Sequence, residues 1–345
     1  GYTAIFLQSK GMSNSEIGIV TGIGAASTIF LSPIISSLVG KIKGLTVTKL
    51  LVILYMMIAI TFSIITLLTL PTILLMVLYM LMIALTVAII PFLSTICMDY
   101  VQTGIQLDFG LARGMGSLSY AIAAVVLGQL IDRLNPDVLM YTFLLSGTLF
   151  LIDLFLLPKT NPSTTSSTKE KEGASLPYVI MKYKKFSFIL LGFSLAFAAA
   201  VALSTYLINI VKALGGSTSL YGIAIFLMAV SEIPAMAYVT KRYQKLGAEK
   251  LLCIAIIAYV IRNLIIATAF NIPMLLIGMM FQSVSYGVFT ATAAYYVSDH
   301  LLPEHQIMGQ TFIAVMSSGF GSTIGNILGG LLQDAYGLQS MLLFS

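Results

Sequence analysis

The sequence predicts an all-α polytopic membrane protein. Of its 345 residues, 58% are hydrophobic and only 9% are charged, whereas about a quarter of a typical soluble domain is charged. Apolar runs of about 20 residues, each long enough to cross a bilayer as a helix, follow one another along almost the whole chain. A transmembrane β-barrel would instead show alternating segments of about ten residues, so the sequence excludes that class.

The first part of the chain contains the end of one predicted helix and five complete ones. Residues 1–8 are predicted to be the outer end of the first helix. The complete apolar runs are residues 17–39, 49–69, 71–98, 113–131 and 138–157. Residues 158–177, "PKTNPSTTSSTKEKEGASLP", end this series with Ser, Thr and charged residues. Such a composition cannot bury an apolar core and predicts a disordered linker.

The second part contains five more complete runs and the start of a last helix. The complete runs are residues 186–211, 219–238, 250–270, 273–298 and 307–333. A twelfth helix is predicted to start near Leu338 and to be cut at Ser345. The chain therefore predicts six helices in each part, with helices 1 and 12 truncated.

Two sequence patterns recur about 200 residues apart, which predicts an internal duplication. "YTAIFLQSKGMSNSEIG" from Tyr2 matches "YLINIVKALGGSTSLYG" from Tyr206, and "GQLID" ending at Asp132 resembles "GGLLQD" ending at Asp334. Two parallel six-helix repeats around a central site form a common architecture of secondary transporters. The predicted division is an N-terminal half at residues 1–158, a cytoplasmic linker at 159–185 and a C-terminal half at 186–345.

Lys and Arg concentrate in every second connection. If the helix ends alternate between the two sides, the loops at 40–49, 99–113, 159–185 and 241–250 carry 14 of the 18 Lys and Arg residues. An excess of basic residues marks cytoplasmic loops, which accounts for the net charge of +5 without a nucleic-acid partner. We therefore expect an integral membrane protein, in the cytoplasmic membrane of a bacterium, with the linker in the cytoplasm.

Several motifs resemble one transporter family. "FGLARGMGSLSYAI" at 109–122, "SEIPAM", "YVIRNL" and "FQSVSYGVFTATAAYYVSDHLLPEHQIMGQTF" are similar to segments of the major facilitator superfamily, in the branch of lactose permease and of oligosaccharide and nucleoside proton symporters. The resemblance covers most of the chain. It implies the major facilitator fold and secondary transport.

Three polar side chains are predicted to share a layer near the middle of the membrane. At about 1.5 Å per helical residue, Glu232 lies roughly 13 Å above Lys241, and Arg262 and Gln282 reach a similar height. Ionisable groups at such depth are costly and are functional candidates. Glu232 and Arg262 are candidates for proton coupling, because burial and a nearby Arg act in opposite directions on a carboxylate. A permanent ion pair that only joins two helices is the alternative.

The resemblance adds roles for individual residues. Arg262 matches an arginine of the proton-coupling cluster in lactose permease, whereas the histidine and glutamate of the permease's tenth helix are replaced here by Gln282 and Ser285. Arg113 matches the sugar-binding arginine and Tyr120 the stacking aromatic residue. Counted from Asp132 at the outer face, Tyr120 is roughly 18 Å deep and Arg113 roughly 28 Å, so Arg113 could instead be a cytoplasmic anchor.

A glycine stripe in the eleventh predicted helix predicts close helix packing. Gly321, Gly325 and Gly329 recur every four residues, and small residues in such a stripe allow helices to approach closely. Asn326, beside the stripe, is a further candidate for contact with substrate, together with Gln282.

No residue pattern indicates an enzyme, a metal site or a cofactor. Cys97 and Cys253 lie alone in different apolar segments, and His300 and His305 have too few neighbouring ligands for a metal site. The expected partners are a small-molecule substrate, a proton and the lipid bilayer, and the protein is expected to act as a monomer.

The predicted function is proton-coupled symport of a polar small molecule, such as a sugar, an oligosaccharide or a nucleoside, by alternating access. Two alternatives stay open. One is a drug or metabolite exporter that works as a proton antiporter. The other is a receptor that keeps the fold without transporting.

Overall fold

The computed structural model of the chain describes residues 2–41, 45–102, 109–156, 176–302 and 305–345. These residues are almost entirely helical. The α-helices are α1 (Thr3–Ser9), α2 (Asn14–Lys41), α3 (Val47–Leu67), α4 (Thr72–Gln102), α5 (Phe109–Arg133), α6 (Val138–Leu156), α7 (Leu176–Lys182), α8 (Lys184–Thr205), α9 (Leu207–Ala213), α10 (Thr218–Leu246), α11 (Ala248–Ala267), α12 (Ile272–Met280), α13 (Val288–His300), α14 (Gln306–Ala314), α15 (Ser322–Tyr336) and α16 (Leu338–Phe344).

Many of these helices are suited to a bilayer. Within the described part of the chain, nine helical stretches are long and apolar enough to cross a membrane. The protein is therefore an all-helical polytopic membrane protein, as the sequence predicts. Predicted helices 49–69, 138–157 and 250–270 agree with α3, α6 and α11 to within three residues at each end.

Three predicted helices are interrupted in the structure. Residues 186–211 form α8 and α9, which are separated at Tyr206. Residues 273–298 contain a π-helical segment at Ser283–Gly287, and residues 307–333 contain another at Val315–Gly321. An apolar run gives no sign of such a segment, because the hydrogen-bond register changes while the composition stays the same.

The end of the predicted linker is helical. Helix α7 occupies Leu176–Lys182, inside the 159–185 segment, and residues 157–175 lie outside the described residues. The ring of Tyr178 packs edge-on against that of His305, with centroids 5.5 Å apart. This contact holds α7 next to the start of α14.

The most extensive contacts between helices join the two halves of the chain, α2 with α15 and α5 with α10. Glycines make these approaches possible. A Cβ on Gly18 or on Gly330 would lie 2.3 Å from a backbone oxygen of the other helix. A Cβ on Gly222 would lie 2.5 Å from the oxygen of Ala124, and one on Gly128 would lie 2.7 Å from that of Thr218. Larger residues at these four glycine positions would separate the helices.

The glycine stripe of the eleventh predicted helix packs against α8, which confirms the prediction of close packing. A Cβ on Gly321 would lie 2.9 Å from the backbone oxygen of Ser194, and one on Gly325 would lie 2.1 Å from that of Ala198. Such approaches allow the van der Waals contact that drives helix association in lipid.

Candidate functional site

Glu232 lies in the middle of α10. The helix begins at a cap in which the Ser217 side chain accepts a hydrogen bond from the backbone N–H of Leu220, and it continues through Pro234. The Glu232 side chain is half-buried. The π-helical segment Ser283–Gly287 packs against this point, since a Cβ on Gly287 would lie 3.6 Å from the Glu232 backbone oxygen. Glu232 therefore lies where the backbone of α10 meets the segment that directly follows Gln282.

Arg262 is completely buried on α11. Its Nη1 donates a hydrogen bond of 3.1 Å to Asn263 Oδ1, and its Nη2 donates one of 3.3 Å to Ser204 Oγ. Its Nε has no hydrogen-bond partner among the described residues. Glu232 interacts with this guanidinium electrostatically, while the hydrogen bonds of Nη1 and Nη2 go to neutral side chains.

Tyr259 is a member of this group that the sequence analysis missed. It lies one turn before Arg262 on α11 and is only 1% exposed. It interacts electrostatically with Arg262, Tyr286 and Glu232. The signal was present in the sequence, because residues three apart on a helix lie on the same face. Around Arg262, therefore, the hydroxyl of Tyr259 joins the predicted carboxylate.

Other polar atoms in this region of the C-terminal half are buried. Ser194 Oγ, Tyr259 OH, Thr292 Oγ1 and Gln282 Oε1 have no hydrogen-bond partner within the described part of the protein. Buried polar atoms are normally paired with protein groups or with ordered water. These atoms are suited to bind water or substrate groups.

Tyr120 connects the N-terminal half to Glu232. It is 44% exposed on α5 and interacts electrostatically with Glu232. Tyr120 also lies near Tyr2 and Tyr221, whose rings meet edge-on with centroids 5.1 Å apart. The structure thus brings together Tyr120, Glu232 and Arg262, three of the residues that the sequence singled out.

Arg113 and Asn326, two further candidates, are placed differently. Arg113 is near the start of α5, but its side chain lies outside what the structure describes. Asn326 is 5% exposed and its Oδ1 accepts a hydrogen bond of 2.6 Å from Thr205 Oγ1. Asn326 therefore joins α15 to α8, and its role as a substrate ligand stays a prediction.

On the side opposite the predicted cytoplasmic loops, Asp132 joins the two halves. At the end of α5 it accepts hydrogen bonds from Thr218 N (3.0 Å), Ser219 N (2.7 Å) and Ser219 Oγ (2.6 Å) at the start of α10. A carboxylate is favourable at a helix N-terminus. Nearby, the Tyr2 hydroxyl donates to the Ala124 backbone oxygen. The name Asp132 clamp is used below for Asp132, Thr218, Ser219, Tyr2, Gly128 and Gly222.

Asp334 makes the equivalent contact in the other repeat. At the end of α15 it accepts hydrogen bonds from Asn14 N (3.3 Å), Asn14 Nδ2 (2.8 Å) and Ser15 N (2.6 Å) at the start of α2. The Tyr206 hydroxyl lies 2.9 Å from the backbone oxygen of Asn14 and 3.1 Å from that of Asn326, so it can donate to either. The name Asp334 clamp is used below for Asp334, Asn14, Ser15, Tyr206, Gly18 and Gly330.

The repeat patterns in the sequence mark these clamps. Tyr2 and Tyr206 occupy matched positions, as do Asp132 and Asp334. In the sequence alone these matched residues indicate only a duplication. The two clamps join the two halves of the chain on the side opposite the predicted cytoplasmic loops.

Metal ligands are sparse here. The residues that the structure describes contain no group of three or more His, Cys, Asp or Glu side chains able to hold a metal ion.

Comparison with known proteins agrees with this architecture. Residues 1–344 match the model of the MFS_1 like family. The transporter YwbF of Bacillus subtilis is 25% identical over 94% of this chain and 79% of its own length. Maltose permease of Geobacillus stearothermophilus is 25% identical over 74% of this chain and 64% of its own length.

A solved structure shows the same fold. The crystal structure of the nucleoside transporter NupG is similar with a TM-score of 0.80 and 17% identity, over 99% of this chain and 89% of NupG.

Proposed function

The chain belongs to the MFS_1 like family of major facilitator transporters, and we propose that it is a proton-coupled symporter of a polar small molecule. The observation that carries this proposal is the half-buried carboxylate of Glu232, which interacts electrostatically with Arg262 in its own half and with Tyr120 in the other half. A carboxylate between the two halves can respond both to protonation and to the relative position of the halves.

The coupling follows from opposing effects on Glu232. Burial favours the neutral carboxylic acid, whereas the positive charge of Arg262 favours the carboxylate. A substrate that accepts a hydrogen bond from Arg262 Nε would weaken the effect of Arg262 on Glu232. Substrate binding would then favour proton uptake, and a neutral, loaded site would favour the reorientation of the two halves.

The substrate class that we propose is a sugar, an oligosaccharide or a nucleoside. Support comes from Tyr120 and Tyr286, whose rings offer stacking surfaces, and from the amide oxygen of Gln282, which is unpaired among the described residues. Two similar proteins carry corresponding names, a maltose permease and a nucleoside transporter. We further propose that the protein acts as a monomer in a bacterial cytoplasmic membrane, with residues 159–185 on the cytoplasmic side and residues 1–158 and 186–345 as its two halves.

Uptake into proteoliposomes tests the proposal. Sugars and nucleosides are screened with and without an inward proton gradient. Glu232→Gln is expected to abolish accumulation driven by the gradient but to keep exchange of labelled for unlabelled substrate, because exchange needs no net proton movement. Asp153→Asn, on the exposed face of α6, is the matched control and should behave like the natural protein.

Two results would count against proton coupling through Glu232. One is full gradient-driven accumulation by Glu232→Gln. The other is uptake by the natural protein that does not respond to the gradient. Arg262→Lys keeps the charge and should retain more accumulation than Arg262→Ala, whereas equal loss would indicate that Arg262 acts only in packing.

A further inference from the structure

An apolar groove runs between α8 and α11, outside the site described above. Its volume is about 360 Å³, and its apolar walls are formed by Phe188, Ile189, Gly192, Leu252, Cys253 and Ile256. Both helices are among the stretches able to cross a membrane, and Phe188 is 73% exposed. The groove therefore opens toward the hydrocarbon region of the bilayer.

Gly192 creates part of this space. The stripe glycines Gly321, Gly325 and Gly329 are all in close contact with α8, but a Cβ on Gly192 would meet nothing within 4 Å. Glycine in a membrane helix usually allows another helix to approach. At Gly192 the gap is left open to a molecule outside the chain.

The mouth of the groove is charged. Lys185 Nζ forms an ion pair with Glu249 Oε1 at the edge of the groove, and both side chains are more than half exposed. Lys184 and Lys250 are next to this pair in the sequence and are also exposed, whereas Lys182 Nζ lies over the rings of Tyr178 and Tyr183. Three lysines against one glutamate give the helix ends that form this mouth an excess of positive charge, on the side predicted to be cytoplasmic.

We propose that the groove binds one acyl chain of an anionic phospholipid, with the lipid phosphate at Lys185. The acyl chain alone would bring no preference, because the groove is no more apolar than the lipid tails around it. Selectivity must come from the head group, and basic pockets between membrane helices on the cytoplasmic side favour anionic lipids. Glu249 competes with the phosphate for Lys185 and therefore limits the affinity.

The absence of tryptophan from the chain makes a direct test possible. Phe188→Trp places a single fluorophore in the groove. Phe155→Trp, at a site 71% exposed near the corresponding end of α6, places one on a lipid-facing surface without a groove. Each purified variant is reconstituted in phosphatidylcholine vesicles that contain brominated phosphatidylglycerol or brominated phosphatidylcholine, and fluorescence quenching is compared.

The Phe188→Trp variant is expected to show a preference for phosphatidylglycerol of about fivefold, because one basic side chain near a membrane has an effect of this size. The Phe155→Trp control is expected to show no preference. In the Phe188→Trp background, Lys185→Gln should remove the preference and Glu249→Gln should increase it. Gly192→Leu fills the groove from a position where an added Cβ meets no atom of the chain, so it should lower quenching by both lipids while the protein stays folded.

Three outcomes would overturn the proposal. The first is an equal preference for phosphatidylglycerol at both reporter positions, and the second is a preference that Lys185→Gln leaves unchanged. The third is weaker quenching of the Phe188→Trp reporter than of the Phe155→Trp control by every lipid, which would indicate that protein occupies the groove. If Phe188→Trp does not fold, Cys253 in a Cys97→Ala background serves instead. Phosphatidylglycerol should slow its alkylation by a maleimide, and Lys185→Gln should abolish this protection.

Discussion

The two outer clamps have the same design but different surroundings. In each, an aspartate at the end of one helix binds the N-terminus of a helix in the other half, and a tyrosine hydroxyl lies against a backbone oxygen. Beside the Asp132 clamp, the ring of Tyr2 packs against that of Tyr221, and Tyr120 lies near both tyrosines and near Glu232.

The Asp334 clamp is connected instead to a cluster of amides. Gln8 Nε2 donates to Asn14 Oδ1 (3.1 Å) and to Asn209 Oδ1 (2.9 Å), and Asn209 Nδ2 donates to Asn14 Oδ1 (3.0 Å) and to Gln333 Oε1. Amides do not titrate. The duplication therefore produced two similar clamps, of which the Asp132 clamp leads to an ionisable group and the Asp334 clamp leads to neutral ones.

Breaking either clamp by steric bulk should have the largest effect. Gly330→Leu and Gly128→Leu place a side chain against a backbone oxygen of the other half, and overpacking costs about 1–3 kcal/mol. Both variants should hold the outer side open and reduce uptake by about tenfold, which corresponds to about 1.4 kcal/mol.

The measurement is the distance between spin labels at Leu134 and Phe270, which are exposed in the two halves, after both native cysteines are replaced. Longer distances report opening. Gly116→Leu, where an added Cβ meets nothing within 4 Å, is the control. Unchanged distances in both clamp variants would show that these helices do not close the outer side.

Neutralising each aspartate in turn should show that the two clamps differ in strength. A hydrogen bond to a charged group is worth about 1.5–3 kcal/mol, and Asn keeps one acceptor, so each change should open the outer side partly. Asp132→Asn should open it more than Asp334→Asn, because the amide cluster still holds α2, α9 and α15 together. The same spin-label distances measure both effects, and an equal shift in the two variants would argue against reinforcement by the amides.

Removing the amide cluster should abolish the difference between the two clamps. As a single change it should have the smallest effect on the opening of the outer side. Asn209→Ala deletes hydrogen bonds to Asn14 and Gln333. Combined with Asp334→Asn it should open the outer side more than the sum of the single changes, with a coupling of about 0.5–3 kcal/mol. Asn209→Ala combined with Asp132→Asn should open the outer side by the sum of the two single effects. Coupling of Asn209→Ala to both aspartate variants would contradict the view that the amide cluster supports only the Asp334 clamp.

Much of the fold could be predicted, but only part of the site. Hydropathy indicated helices such as α3 and α11 because a bilayer leaves few other structures possible. Glu232 and Arg262 stood out because charge is rare in such segments. Tyr259 did not, since tyrosine is common in membrane helices and only contact with a charge distinguishes it. The break at Tyr206 and the π-helical segments also leave no mark in hydropathy.

The sequence alone determined the membrane class, and it predicted the duplicated architecture and the depth of the rare charges, because hydropathy, repetition and helical rise can all be followed along one chain. Only the tertiary structure decided which residues meet. It showed that the matched residues Asp132 and Asp334 each bind the start of a helix in the other half of the chain. It also left Gly192 without a close neighbour, which no pattern along the chain could reveal.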